Sequence, residues 1–348
     1  MTAIDLRSDT VTLPTERMRE RMRTAELGDD SRDGDPTVVA LEALAAKRTG
    51  KEAAVFVPSG SMANLVALLA HTGRGGEVLL DAECHIARSE MGSIAGLASL
   101  FHRALPAERG ALDLAALEEA ISPAVTPNRL ATALVTLETT HNAAGGAVLP
   151  LAHMEAVARI AHREGVPVHI DGARLFNAAV ALGVGAERIA AHGDSVCFCI
   201  SKGLSAPIGS LLCGSAAFIQ RSRAFRRMVG GNLRQAGVVA AAGIVALEEM
   251  VERLADDHAR AKRLAQGLHA IDAGLAAPDE VETNIVMVEV AASRRTAAEW
   301  AQALKAHEVL AGPARRFRLR LVTHRHIGDA EVDRTIEAFG QVWRRFVN

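Results

Sequence analysis

The sequence contains no tyrosine and very few lysines. Of its 348 residues, 39 are lysine or arginine, but only five are lysine, so almost all positive charge is supplied as arginine. Four lysines, at positions 47, 51, 262 and 305, lie in or beside charge-rich helical segments, as is typical of a solvated surface. The fifth, Lys202, stands where the apolar residues 196–200 meet a glycine-rich loop. A buried ammonium is costly unless it is neutralised or used, so Lys202 is the first candidate functional residue.

Other missing features exclude whole classes of protein. There is no run of about 18 apolar residues that would cross a membrane. The N-terminus, MTAIDLRSDT, has neither the basic nor the apolar region of a signal peptide, so we expect a cytoplasmic protein. A net charge of −2 gives no reason to expect nucleic acid or a membrane surface as partner. Because P-loop, GxGxxG and HExxH patterns are absent, we predict neither a nucleotide phosphate nor a metal.

The four cysteines give only weak evidence for a metal site. Cys197 and Cys199 lie on the same face of a predicted strand, and a CxC pair without a second pair is a weak metal signal. Buried thiols in a reducing compartment are the simpler interpretation.

Short apolar strands alternate with helices along most of the chain. Strands are predicted near residues 53–57, 77–81, 132–137, 166–171, 195–200 and 209–214. This alternation predicts an α/β fold with a mostly parallel sheet that helices cover on both faces. A long amphipathic helix from about Leu247 to Leu268 then leads into a compact α/β module. We therefore predict a large domain over residues 1–246 and a small C-terminal domain over residues 247–348.

Polar residues cluster where these predicted strands end, which is the edge at which open α/β sheets bind ligands. The clusters are Ser59-Gly60-Ser61, His85, His141-Asn142, Asp171–Arg174 and Ser201-Lys202. In the first cluster, a strand, a turn of small residues and a helix follow one another, an order that suits an anion. Five clusters from separate strands predict one pocket.

The chemistry of this pocket depends mainly on Lys202 and Asp171. Lysine can lose a proton and attack a carbonyl, whereas arginine stays protonated, so we interpret Lys202 as a Schiff-base lysine that holds pyridoxal phosphate. The alternative is a lysine that snorkels at a strand end. Asp171 would keep the pyridine nitrogen protonated, and Arg174 would bind a carboxylate. The alternative for these two residues is a turn with a surface ion pair.

Two histidines complete the predicted pocket. His85 follows a strand end, where its imidazole would stack on a flat ring, and His141 lies in a glycine-rich bend as a proton acceptor or donor. The alternative is that both are ordinary members of a set of 13 histidines.

The order and spacing of eight segments resemble the low-specificity L-threonine aldolases. The segments are LRSDTVTLPT (6–15), DPTVVALE (35–42), FVPSGSMAN (56–64), THNAAGGAVLP (140–150), HIDGARLFNA (169–178), SKGLSAPIGS (201–210), GGNLRQAG (230–237) and RLVTH (320–324). The resemblance implies a fold-type I, aminotransferase-like domain with a mostly parallel seven-stranded sheet, and pyridoxal phosphate as cofactor. It implies cleavage of threonine, allo-threonine or a related β-hydroxy-α-amino acid to glycine and an aldehyde. It also implies a homo-oligomer, a tetramer built as a dimer of dimers.

The resemblance also assigns roles to matching positions. The catalytic residues would be Lys202, His85, His141 and Asp171. The cofactor-binding residues would be Gly60, Ser61, His85, Asp171, Arg174, Lys202 and Arg234. The substrate-binding residues would be Ser8, Arg174, Arg320 and Arg32. In these sets Gly60 and Ser61 hold the phosphate, and Arg234 reaches it from a neighbouring subunit.

The sequence departs from the family pattern around the pocket. Arg32 stands where the family has a tyrosine, and Ala87 and Ser89 replace two further aromatic residues. These changes predict a larger and more positive pocket, and hence a β-hydroxy amino acid with a larger, polar or anionic β-substituent. The alternatives to an aldolase are a β-eliminating lyase or transaminase on the same scaffold, or a protein that binds the cofactor without catalysis.

Overall fold

The computed structural model describes residues 3–347. In chain order, the strands are β1 (Ile4–Asp5), β2 (Ala53–Val57), β3 (Glu77–Asp81), β4 (Phe101–Leu105), β5 (Ala107–Glu108), β6 (Ala111–Leu112), β7 (Thr132–Glu138), β8 (Val168–Asp171), β9 (Ser195–Cys199), β10 (Ser210–Gly214), β11 (Ile285–Glu289), β12 (Val309–Leu310), β13 (Gly312–Arg315) and β14 (Arg318–Val322). The α-helices are α1 (Glu16–Arg23), α2 (Pro36–Thr49), α3 (Gly60–His71), α4 (His85–Arg88), α5 (Ser93–Gly96), α6 (Leu114–Ala120), α7 (Leu151–Arg163), α8 (Leu175–Leu182), α9 (Ala186–Ala190), α10 (Ala216–Met228), α11 (Gly237–Glu249), α12 (Leu254–Ile271), α13 (Ala297–Lys305) and α14 (Asp329–Val347).

A seven-stranded sheet in the order β2-β10-β9-β8-β7-β3-β4 forms the centre of the fold. Strand β10 runs antiparallel to both of its neighbours, and the other neighbouring pairs are parallel. The apolar residues of these strands pack beneath helices from both sides, in the manner of parallel sheets that are buried on both faces. The predicted fold class is therefore confirmed, including the number of strands.

The carboxyl ends of β2, β3, β7, β8 and β9 lie at one edge of this sheet, because β2 and β9 are both antiparallel to β10. Helix α3 starts directly after β2, where the Ser59 side chain accepts a hydrogen bond from the Met62 amide and caps the helix. Polar residues that follow the strands are thereby brought together.

Two features of the fold differ from the prediction. The position of the seventh strand, β4, was not predicted from the sequence, because it lies at the sheet edge and four of its five residues are at least partly exposed. The predicted long helix from Leu247 to Leu268 was wrong: α11 ends at Glu249 and α12 begins at Leu254. Helix α11 is apolar on nearly every side because it is buried, so it lacks the amphipathic period that revealed α12.

The C-terminal module contains the antiparallel sheet β11-β14-β13 and a separate apolar core around Trp300 and Phe339. Ile4 and Leu6 from the N-terminus belong to this core, and β1 pairs with β12. The start of the chain thus packs against the C-terminal module, while the proposed boundary at 246/247 stays a prediction. Among residues 3–347, no helix combines the length and apolar character needed to cross a membrane.

Candidate active site

A cavity of about 320 Å³ opens at the carboxyl edge of the central sheet, and we call it the lysine cavity. It is lined by Thr10, Pro58, Ser59, Gly60, Ser61, Asn64, His85, Glu90, Asp171, Ala173, Cys199, Ser201, Lys202, Pro207 and Ile208. Five of the sequence-predicted site residues lie in this lining: Gly60, Ser61, His85, Asp171 and Lys202.

Lys202 reaches the cavity from the turn that follows β9. Its carbonyl accepts hydrogen bonds from the Thr12 hydroxyl at 2.8 Å and the Ser205 amide at 2.9 Å. These bonds hold the backbone of the turn, so the lysine side chain extends from a defined position beside the sheet.

Asp171 ends β8 and is buried, with 1% of its surface exposed. Its Oδ1 accepts from the Ala173 amide at 3.1 Å, and its Oδ2 accepts from the Asn64 side-chain nitrogen at 2.8 Å. Each carboxylate oxygen of Asp171 therefore accepts a hydrogen bond from the protein. An anion at this position suits a protonated ring nitrogen.

His85 starts α4 and is oriented by two buried glutamates. Its Nδ1 lies 3.0 Å from Glu90 Oε1, and its backbone amide donates to Glu138 Oε2 at 2.5 Å. The bond to Glu90 raises the pKa of His85, while burial raises the pKa of Glu90 itself. Because Glu90 occupies Nδ1, the Nε2 atom of His85 remains for a ligand.

Ligand atoms of His85, Glu90 and Asp171 lie within 4.8 Å of one another, a spacing that a metal ion could use. The Asn64 amide already bridges the two carboxylates, with 2.8 Å bonds to Glu90 Oε1 and Asp171 Oδ2. The amine of Lys202 lines the same cavity, and it suits an aldehyde better than a cation. The absence of a metal therefore stays a prediction.

Gly60 and Ser61 form the first turn of α3, where backbone amides have no partner within the helix. A Cβ atom on Gly60 would stand only 2.8 Å from Cys199 Sγ, so this position has room for glycine alone. The close approach leaves a cradle of amides at a helix N-terminus, which suits a phosphate.

Arg174 and Arg320 converge on one side-chain oxygen. Asn142 Oδ1 accepts from Arg320 Nη1 at 2.8 Å and from Arg174 Nη1 at 3.5 Å. Burial lowers the pKa of Arg320, and the nearby Arg174 charge lowers it further. Two guanidinium groups this close together bind a carboxylate well.

The buried carboxylate of Asp9 holds Arg174 in place. Arg174 donates to it from Nε at 2.7 Å and from Nη2 at 2.8 Å. Burial alone would raise the pKa of Asp9, but the Arg174 charge outweighs it and holds that pKa well below its usual range. Ser8 precedes Asp9 and caps a short helix by accepting from the Thr10 amide at 3.2 Å. Ser8 therefore lies between Asp9, which positions Arg174, and Arg7, whose carbonyl accepts a hydrogen bond from Arg320.

His141 lies outside the lining of the lysine cavity and is 2% exposed. Its Nδ1 accepts the Ala144 amide at 3.2 Å. Its Nε2 lies 2.7 Å from Asp81 Oδ2, although without the alignment of a hydrogen bond. In this arrangement neither ring nitrogen is directed at the cavity.

Arg32 and Arg234 lie apart from the cavity lining, beside the same carboxylate. Arg32 Nε is 3.7 Å from Asp29 Oδ2, Arg234 Nη1 is 3.6 Å from Asp29 Oδ1, and their side chains are 80% and 66% exposed. Both are therefore oriented to solvent within a single chain. Within a single chain Arg32 does not line the lysine cavity, and its effect on the size and charge of the pocket stays a prediction.

Sequence reasoning missed Asp9, Asn64, Glu90 and Glu138. Glu138 ends β7 and accepts the amides of His85 and Asn142, so it anchors both loops. Glu138 could have been found from the sequence, because polar residues at strand ends were taken as site candidates and His141 and Asn142 were selected just after the same strand. Asn64 and Glu90 lie within helical or turn segments and carried no such signal.

A lysine and a buried aspartate at the carboxyl edge of this sheet, with a phosphate cradle between β2 and α3, define the fold-type I class of pyridoxal phosphate enzymes. The cradle, the amine and the carboxylate fit the phosphate, aldehyde and ring nitrogen of that cofactor. Comparisons with known proteins identify the family within this class. A family model described as "Beta-eliminating lyase" matches residues 5–293, and the chain belongs to that family, with the low-specificity L-threonine aldolases among its relatives.

The similarity to these relatives extends over almost the full length. The chain is 43% identical over 345 residues to low-specificity L-threonine aldolase 1 of Arabidopsis thaliana, covering 98% of this chain and 96% of the relative. It is 40% identical over 353 residues to the low specificity L-threonine aldolase of Escherichia coli (strain K12), covering 99% of both. The solved structure of Leishmania major threonine aldolase superposes with a TM-score of 0.82 at 18% identity, covering 98% of this chain and 99% of that one.

Proposed function

We propose that the protein cleaves L-threonine, L-allo-threonine or a related β-hydroxy-α-amino acid to glycine and an aldehyde. One observation carries the proposal: His85, which lines the lysine cavity with Lys202 and Asp171, also lines a second cavity with Arg320. The guanidinium groups of Arg320 and Arg174 converge on Asn142 at that second cavity. A cofactor-binding amine and a carboxylate clamp side by side are what a reaction at the α-carbon of an amino acid requires.

Each part of the cavity has a proposed task in holding pyridoxal phosphate. Lys202 would bind it covalently through Nζ, the first turn of α3 at Gly60 and Ser61 would hold its phosphate, and Asp171 would face its ring nitrogen. When bound, the cofactor supplies an aldehyde for amines and a protonated ring that takes up an electron pair. Arg174 and Arg320, with the Ser8 segment, would hold the substrate carboxylate and so orient the bond that breaks.

Proton transfer is assigned to His85. With Nδ1 held by Glu90, Nε2 accepts the proton of the β-hydroxyl while the bond between Cα and Cβ breaks and the aldehyde leaves. A proton returned to Cα then gives glycine. His141, engaged by Asp81 and the Ala144 amide, would act by shaping the bend that carries Asn142, or would turn into the cavity when substrate binds.

The exposed arginines suit a site completed by a second subunit. Arg234 is proposed to reach the phosphate of a neighbouring subunit, and Arg32, which shares its Asp29 contact, to lie at the same junction. A homotetramer built from two dimers, in which each site is closed by a partner, follows from this proposal. The cytoplasmic location stays a prediction.

The experiment is an aldehyde assay on the protein reconstituted with pyridoxal phosphate. L-Threonine should give acetaldehyde and glycine, and a visible absorbance band should disappear in Lys202→Ala together with the activity. Lys305→Ala, at an exposed helix position, is the matched control and should keep both. Accumulation of the aminated cofactor with an amino donor would instead indicate a transaminase, and pyruvate from serine a β-eliminating lyase. A coloured protein that releases no product from any of these substrates would contradict catalysis altogether.

A further inference from the structure

A second cavity, of about 280 Å³, shares His85 with the lysine cavity, and we call it the arginine cavity. It is lined by Glu83, His85, Arg88, Ser89, Asn142, Ala143, Met287, Gly312, Pro313, Ala314, Arg315, Arg318 and Arg320. The proposed base, His85, and one arginine of the proposed carboxylate clamp, Arg320, both line it, whereas Lys202 does not. Four of its lining residues are arginines and only one, Glu83, is acidic.

Three of these arginines come from the hairpin of β13 and β14. Residues 315–320 contain four arginines, of which Arg318 and Arg320 share one face of β14 because side chains alternate along a strand. Arg315 pairs directly opposite Arg318. Like charges facing each other across strands are destabilising, so this arrangement costs stability unless an anion offsets it.

The acidic residues nearby offset only part of this charge. Glu83 contacts both Arg88 and Arg315, so one carboxylate serves two guanidinium groups. Arg318 pairs with Glu289. Among residues 3–347, Arg320 donates only to neutral oxygens, those of the Asn142 side chain and the Arg7 carbonyl. If Arg320 binds the α-carboxylate of the substrate, one positive charge shared by Arg88 and Arg315 remains without a counterion at the cavity.

We infer that the preferred substrate carries an anionic β-substituent, a carboxylate or a phosphate monoester, which Arg315 and Arg88 bind in the arginine cavity. This inference rests on the proposed function and deepens it. A methyl group, as in threonine, would occupy little of the cavity and satisfy neither guanidinium. A carboxylate or phosphate presents the oxygen pairs that arginine forks recognise. The reaction itself is unchanged, and the anionic group leaves on the aldehyde.

Matched substrate pairs test the inference directly. The value of kcat/KM for aldehyde release should be at least about tenfold higher for 3-hydroxyaspartate than for its neutral isostere 3-hydroxyasparagine. The same comparison between the O-phosphate of 4-hydroxythreonine and 4-hydroxythreonine distinguishes a phosphate from a carboxylate. Equal values within both pairs would overturn the inference, while cleavage of threonine in the same assay would leave the proposed function standing.

Variants of the β13–β14 hairpin distinguish a specific contact between Arg315 and the substrate from a general effect of positive charge. Arg315→Gln should lower kcat/KM for the anionic substrate about tenfold relative to that for threonine, since it removes one guanidinium. Arg316→Gln is the matched control, because Arg316 is exposed, lies 5.0 Å over the Phe317 ring and is absent from the cavity lining. Glu83→Gln frees both guanidiniums and should raise the preference for the anion. Equal losses in the two arginine variants, or a lower preference in Glu83→Gln, would contradict the assignment.

Equilibrium binding provides a measurement that does not depend on turnover. L-Aspartate and L-asparagine lack the β-hydroxyl and cannot undergo the cleavage. Calorimetric titration of the cofactor-loaded protein should give tighter binding of L-aspartate, and raised salt should reduce the difference because partly exposed charges are screened. The preference should shrink in Arg315→Gln and persist in Arg316→Gln. Tighter binding of L-asparagine would overturn the inference independently of any assay of activity.

Discussion

Asn64 donates both of its side-chain hydrogens to carboxylates, one to Asp171 Oδ2 and one to Glu90 Oε1, each at 2.8 Å. The amide therefore joins the group proposed to face the cofactor nitrogen with the group that orients His85. Since the nitrogen of Asn64 is committed to acceptors, its Oδ1 must itself accept. It lies 3.1 Å from His169 Nε2.

This requirement sets the direction of a longer chain of hydrogen bonds. With its Nε2 donating to Asn64, neutral His169 accepts at Nδ1 from Ser195 Oγ at 2.8 Å, and Ser195 Oγ accepts from His71 Nε2 at 2.7 Å. Burial lowers the pKa of His169 to about 4 and that of His71 to about 3, so both rings are neutral near pH 7. The hydrogen bonds of this chain are therefore all donated in the direction of Asp171, and each can strengthen the next.

Replacing His169 should weaken cofactor binding through this chain. In His169→Leu the Asn64 oxygen loses its ring donor, and we expect the Kd for pyridoxal phosphate to rise about tenfold, equivalent to ~1.4 kcal/mol. His169→Gln, whose amide can donate to Asn64 and accept from Ser195, should recover most of this loss. The measurements are a fluorescence titration and the ¹⁵N chemical shift of ring-labelled cofactor, which reports protonation of its nitrogen. Identical chemical shifts of the ring nitrogen in His169→Leu and in the parent would show that this chain of hydrogen bonds does not influence the cofactor.

Glu90 should set the acid side of the pH profile. Its bond to His85 raises the His85 pKa above the ordinary 6.5, so the ring is protonated, and unable to accept a proton, up to a higher pH. Glu90→Gln removes the charge, and the acid limb of kcat/KM should move to lower pH, toward 6.5. Glu108→Gln, at an exposed position, is the control and should leave the limb in place. A limb that stays or moves to higher pH in Glu90→Gln would show that another group limits the reaction.

The outline of the fold could be predicted because the strands that form it are buried and apolar. The edge strand β4 and the buried helix α11 could not, since exposure in one and uniform burial in the other remove the hydrophobic period. For the site, residues that directly follow strands were found, as Asp171 shows. Asp9 and Asn64 were missed because each acts through a partner more than 100 positions away, Arg174 or Asp171, and no local pattern marks such a contact.

The buried pair of Asp9 and Arg174 should contribute strongly to stability at neutral pH. Asp9→Asn keeps the shape but leaves the guanidinium without its counterion, so we expect a loss of about 3–5 kcal/mol in the free energy of unfolding. Asp5→Asn breaks the exposed pair with Arg7 and should cost less than about 1 kcal/mol. Urea unfolding at pH 7 measures both. Similar small losses in the two variants would contradict the role given to Asp9.

The same pair predicts how stability responds to acid. Because the folded pKa of Asp9 is lowered, its contribution is present above the unfolded pKa of about 3.9 and is lost as the pH falls toward the folded value. The melting temperature of the parent should therefore fall as the pH is lowered below about 4, and that of the Asp9→Asn variant should fall less. Equal slopes for parent and variant would mean that other carboxylates dominate this range.

Gly60 offers the sharpest test of the phosphate cradle. A methyl group there would meet Cys199 Sγ at 2.8 Å, so Gly60→Ala must shift the first turn of α3 and should raise the Kd for pyridoxal phosphate at least about tenfold. Gly96→Ala, where nothing lies within 4 Å, should leave it unchanged. Removing the sulfur as well, in Gly60→Ala with Cys199→Ala, relieves the clash and should restore much of the affinity. If the double variant binds no better than Gly60→Ala, the loss has a cause other than this contact, and the cradle is not held by the glycine.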